Sequence, residues 1–231
     1  MTTFVLIPGA GGLAWEWHLL EPELRRLGHD VVAVDLPAAD DAAGLPEYAD
    51  TVVDAVGDRT GLVLVAQSFG GFTAPLVCTQ VPVDLLVMLN AMVPRPGETF
   101  ADWWSNTGQG AAMREHAASI GLSVADLDDD RTVYYHDLPP EVVEEALNLD
   151  PQQSSTPLDQ PWPLGRWPDV PTRVLSGRDD RMFPAAFQRR LAQERLGIEA
   201  DAIRGGHMVA LANPAGLAER LDRYVAELSR G

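Results

Sequence analysis

Six short apolar runs recur along this 231-residue chain with helical patterns between them, and that alternation narrows the folds open to it. The runs fall at residues 4–7, 31–34, 62–65, 85–89, 172–175 and, more weakly, 200–203. The run at 62–65 shows no apolar–polar alternation, which suits a strand covered on both faces rather than one with a wet side. Helical spacing follows at about 17–27, 46–56, from Ser68 to Cys78, and at about 214–229, where Leu217, Leu221, Val225 and Leu228 repeat on one face. Strands alternating with helices predict an α/β fold with a mostly parallel sheet and helices on both faces.

Residues 95–168 break the rhythm. They hold four of the six tryptophans, many prolines and two modest helical patterns, near 111–119 and 140–147. We read them as a cap inserted within a single domain spanning 1–231, a length that can bury one sizeable core at 46% hydrophobic residues.

Charge removes several function classes. The formal net charge is −17, all 17 basic residues are arginine, and no lysine occurs. A Schiff-base lysine, a phosphate-loop lysine and a lysine proton donor are therefore excluded. The acidic field disfavours nucleic acid and anionic membrane as partners, which leaves a small molecule as the expected one. The single cysteine, Cys78, excludes an intramolecular disulfide and a cysteine-built zinc site. With no basic leader and no run of membrane-spanning length, a soluble cytoplasmic protein, monomer or homodimer, is the expectation.

The run at 62–65 leads directly into Ala66-Gln67-Ser68-Phe69-Gly70-Gly71 and then a helix-like stretch. A nucleophilic serine needs an exposed hydroxyl, a base beside it and donors for the oxyanion. A tight strand-to-helix turn lifts the hydroxyl out of the fold and tolerates only small residues two before and two after it. Ala66 stands where the Gly-x-Ser-x-Gly pattern has its first glycine, so a slightly looser turn is expected. The same residues also suit an ordinary helix N-cap.

The remaining members of a serine triad should follow in the order acid, then histidine, each after a strand. After the run at 172–175 comes Ser176-Gly177-Arg178-Asp179-Asp180-Arg181-Met182-Phe183-Pro184. After 200–203 comes Arg204-Gly205-Gly206-His207-Met208. Of the five histidines, only His207 stands in a glycine-bracketed loop after a late strand. Asp179 and Asp180 compete for the acid's role, with Asp180 favoured. Ser68, Asp180 and His207 are thus the candidate catalytic residues, the histidine taking the serine proton and the carboxylate holding its tautomer.

A second reading comes from the first glycine-rich loop. Gly9-Ala10-Gly11-Gly12-Leu13-Ala14 satisfies the dinucleotide fingerprint Gly-x-Gly-x-x-Ala, and Asp35 lies where a ribose-binding acid would. That NAD(P)-binding alternative leaves the serine turn and the His207 loop unexplained, and a short-chain dehydrogenase would need a lysine. A hydrolase uses the same loop to bring a backbone N–H to the oxyanion; Ala10 and Phe69 are the expected donors.

With these residues in hand, the chain resembles the α/β-hydrolase superfamily over essentially its full length. It looks most like small esterases related to plant methylesterases and hydroxynitrile lyases. The resemblance rests on 4–10 with Trp15 and Trp17, Val34-Asp35-Leu36-Pro37, Gln67-Ser68-Phe69-Gly70-Gly71, Asp180 to Pro184 with Phe187-Gln188, and His207-Met208 with Asn213-Pro214. It implies the same triad and the same oxyanion donors. Pro8 and Gln67 replace histidines common in the family, and Met208 stands where the cyanohydrin-cleaving members have lysine, which argues against cyanide chemistry. The expected activity is hydrolysis of a carboxylic ester, or a similar acyl bond, of a small, largely apolar substrate through an acyl-enzyme, with no metal or cofactor. Phe72, Trp103, Trp104, Tyr134, Met182 and Met208 are the expected pocket walls. A non-hydrolytic enzyme or a binding protein on the same fold remains the other alternative, because fold alone does not fix the reaction.

Overall fold

The computed structural model describes residues 2–149 and 151–228. Six parallel strands form one sheet: β1 (Thr3–Ile7), β2 (Asp30–Ala33), β3 (Leu62–Ser68), β4 (Leu85–Ala91), β5 (Thr172–Gly177) and β6 (Ala200–Ile203). Their spatial order is β2-β1-β3-β4-β5-β6. The order reverses between β1 and β3. The loops leaving those two strands therefore diverge and open a crevice at the carboxyl edge.

Strand geometry turns successive side chains to opposite faces. Val5, Ile7, Leu64, Ala66, Leu86 and Met88 pack on one side, under α2 (Leu45–Val56), α3 (Gly70–Val77) and α9 (Ala185–Leu196). Phe4, Leu6, Val63, Val65, Val87 and Leu175 pack on the other, under α1 (Leu20–Arg26) and α11 (Pro214–Leu228). Both faces are dry, which is why the strands read as unbroken apolar runs. The expected helical stretch at 17–27 resolves into a 3₁₀ turn, Ala14–Trp17, followed by α1. Ser229, expected at the end of the last helix, lies outside the described residues.

Between β4 and β5 the chain forms α4 (Phe100–Thr107), α5 (Gln109–Ser119), α6 (Asp130–Val133), α7 (Pro140–Asn148) and α8 (Thr156–Asp159), with no strand among its described residues. This segment is bolted to the sheet domain by buried polar bonds. Arg195 on α9 grips Glu98 through both guanidinium nitrogens, at 2.5 and 2.8 Å, with both side chains more than nine-tenths buried. Trp103 donates its ring N–H to Val93 O and Trp162 donates to Phe72 O, both at 3.1 Å. A short helix, α10 (Val209–Ala212), follows the last strand's loop. None of the described helices is long and apolar enough to cross a membrane.

Candidate active site

The chain reverses at Ser68, which ends β3 with φ +50°, a left-handed conformation that costs a non-glycine residue energy. Its neighbours are small because nothing larger fits. A Cβ on Gly70 would lie 2.6 Å from Pro8 O, and one on Gly71 only 1.9 Å from Met92 O. Ala66, two before the serine, is fully buried. The missing first glycine therefore costs the turn little. Phe69 caps α3, so its N–H has no helical carbonyl behind it.

After β5 the two aspartates separate. Asp180 is completely buried. Its Oδ1 accepts the N–H groups of Met182 and Phe183, each at 2.8 Å, and its Oδ2 lies 3.0 Å from His207 Nδ1. Asp179 is exposed and accepts Gly205 N–H at 3.3 Å. His207 is itself 2% exposed and is held edge-on by Phe183 and Tyr134. With one ring nitrogen on Asp180, the other is left for the cavity.

That cavity, about 170 Å³, is lined by Gly9, Ala10, Glu16, Gln67, Ser68, Asp130, Tyr134, Tyr135, His207 and Met208. Ser68, His207 and Ala10 thus line one cavity. Among the described residues, Ala10 N–H makes no hydrogen bond within the protein. Of the six expected wall residues, Tyr134 and Met208 line the cavity and the other four do not. Phe72 and Trp103 are fully buried core; Trp104 and Met182 pack against that core. Trp103 packs edge-on against Phe187, at the junction between the inserted segment and α9.

Sequence reading missed several residues here. Asn90, fully buried at the end of β4 with φ +45°, ties the site's loops together. Its Nδ2 donates to Gly206 O and His207 O at 2.9 Å, and its Oδ1 accepts Gly177 N–H at 2.6 Å. Gln188 donates to Asn90 Oδ1 at 3.0 Å and reaches Asp180 Oδ2 at 3.4 Å. A polar residue ending an apolar strand was the available signal for Asn90. Glu16 lies in the 3₁₀ turn, and Gly9 N–H reaches its Oε2 at 3.4 Å. Burial pushes its carboxyl up to about 8, against the weaker opposing pull of the Gly9 hydrogen bond.

The nucleotide alternative finds a loop already filled. Gly11 N–H donates to Gln153 Oε1 at 2.9 Å, and a Cβ there would lie 2.7 Å from Pro151. Asp35 accepts Ala14 N–H at 2.7 Å, and a four-residue 3₁₀ turn, not a long helix, follows the loop. Among the described residues no group of three or more His, Cys, Asp or Glu side chains converges as metal ligands.

Known proteins resemble this one at two levels. Norfluorocurarine synthase 1 from a Strychnos species is 33% identical over 103 residues, covering 39% of this chain and 39% of that protein. Polyneuridine aldehyde esterase from Rauvolfia serpentina is 32% identical over 108 residues, covering 42% of this chain and 41% of its own length. These matches therefore span well under half of each relative. Among solved structures, an extracellular alpha/beta-hydrolase from a Paenibacillus species superposes with a TM-score of 0.76 at 22% identity, over 96% of this chain and 98% of that one. The family profile described as "Alpha/beta hydrolase family" matches residues 4–220, and the chain belongs to that family.

Proposed function

We propose that this protein is a serine hydrolase that cleaves a carboxylic ester of a small molecule, with Ser68 as nucleophile, His207 as base and Asp180 as the carboxylate behind it. The observation that carries the reading is the buried 3.0 Å contact between His207 Nδ1 and Asp180 Oδ2, with Ser68 on the wall of the cavity that the same histidine lines. A carboxylate on Nδ1 fixes the tautomer in which Nε2 accepts a proton, and its charge stabilises the imidazolium that forms.

In the reaction, Ser68 Oγ attacks the ester carbonyl as His207 takes its proton. The N–H groups of Ala10 and Phe69 donate to the oxyanion. Collapse expels the alcohol, which takes the proton back from His207. Water, deprotonated by His207, then attacks the acyl-enzyme; as the acyl–oxygen bond breaks, His207 returns that proton to Ser68 Oγ and the acid is released. No cofactor enters these steps. The esterase named among the relatives supports an ester as substrate.

A panel of p-nitrophenyl esters tests this reading. Ser68→Ala and His207→Gln are expected to lower kcat by at least about a thousandfold. A His207→Gln enzyme with full activity overturns the assignment of the base.

A further inference from the structure

The cavity beside Ser68 is more polar than an ester of apolar groups requires. Glu16 reaches the cavity from the 3₁₀ turn and Asp130 from the start of α6. Tyr134 and Tyr135 line the same cavity, with ring centroids 6.1 Å apart at an interplanar angle of 51°. Among the described residues, no arginine lines this cavity, and its one basic side chain is His207, which is tied to Asp180. Among the described residues Glu16 makes no ion pair; its hydrogen bond comes from the neutral Gly9 N–H.

Two carboxyls and two aromatic rings without a resident cation are the chemistry that recognises an ammonium group. Ring faces attract it through their quadrupoles, and a carboxylate in a partly enclosed site attracts it more strongly than one in water. We infer that Glu16, with Asp130, Tyr134 and Tyr135, forms an ammonium subsite beside Ser68, and that the preferred substrates are esters carrying a cationic nitrogen near the reacting carbonyl. The inference rests on the ester-hydrolase reading and narrows it.

The raised Glu16 carboxyl fits this arrangement. With no counter-ion it holds a proton, and an acid titrating at about 8 is only about one-tenth ionised at pH 7. A bound ammonium ion replaces that proton as the compensating charge. The same wall repels carboxylate-bearing substrates, as does the net charge of −17.

Two ester pairs of matched shape test the subsite, because the cation can sit on either side of the ester. Acetylcholine is compared with 3,3-dimethylbutyl acetate, and p-nitrophenyl 4-(trimethylammonio)butanoate with p-nitrophenyl 5,5-dimethylhexanoate. In the wild type, kcat/KM is expected to favour the cationic member of at least one pair tenfold or more. Glu16→Gln and, separately, the exposed-site variant Asp130→Asn should each shrink that ratio severalfold, and Glu16→Asp should restore part of it. Equal rates within both pairs, with hydrolysis still dependent on Ser68, overturn the subsite and leave the hydrolase reading standing. If none of the four esters is cleaved, calorimetry with phenyltrimethylammonium decides the matter. Binding weakened by Glu16→Gln supports the subsite, and no binding to the wild type at millimolar concentration overturns it.

Discussion

Two aspartates stand side by side after β5, and burial separates their roles. Asp180 has both oxygens engaged inside the protein, while Asp179 faces solvent and accepts one loop N–H. Asp180→Asn leaves the shape but loses the charge and tautomer control behind His207, so kcat should fall by about 10³–10⁴-fold. Asp179→Asn should cost far less; steady-state rates of the two variants on one p-nitrophenyl ester check this. Gly71→Ala should cost about 1–3 kcal/mol in chemical denaturation, because the added methyl meets the carbonyl oxygen of Met92, the residue whose N–H donates to Ser68 O at 2.9 Å. Glu16 makes a further prediction through its proton. Folding raises its carboxyl from 4.5 to about 8, so between those values the folded chain holds a proton that the unfolded chain has released. Stability therefore falls as pH rises through that window. Thermal melts from pH 5 to 8 should show a decline that is flatter in Glu16→Gln.

Elements carry the site only if the inserted segment stays docked, and the Glu98–Arg195 pair is its main polar anchor. Burial alone would raise the Glu98 carboxyl, but hydrogen bonds from Arg195, the Arg95 N–H and Asn106, with the Arg195 charge, outweigh it and hold it below its usual range. The contribution is complete above the ordinary carboxylate range and is lost as pH falls through the lowered value. Arg195→Ala leaves a buried carboxylate alone and should cost about 3–5 kcal/mol near neutral pH, with a smaller loss in acid; urea denaturation at both pH values measures it. The strands were legible in the sequence because both sheet faces are dry, which leaves unbroken apolar runs. Helix α9 was not, since Phe187, Leu191 and Ala192 are scattered among Gln188, Arg189, Arg190 and Gln193. It packs on the sheet beside β5 and β6 and against Trp103 on a distant segment, contacts no local pattern encodes. In the same way, tryptophans in the insertion suggested pocket walls, yet the junction with the sheet domain needed them more.

For the whole molecule, the parallel sheet places the ends of β1, β3, β5 and β6 on one edge, and so brings together residues 10, 68, 180 and 207. The proposed order of Ser68, Asp180 and His207 could be read from the sequence because each follows a strand with glycine nearby. Glu16 was not, because a glutamate between two tryptophans reads as a surface residue until the fold closes over it. The absence of lysine and the charge of −17 were legible from composition, whereas the placing of Glu16 and Asp130 in one cavity appears only in the fold. Covalent capture of the nucleophile tests the central claim most directly. Treated with a fluorophosphonate, the wild type should gain a single adduct by intact mass, mapped to the peptide carrying Ser68 and missing from Ser68→Ala. An unmodified wild-type protein, or a Ser68→Ala variant that still cleaves esters at the wild-type rate, would contradict the account.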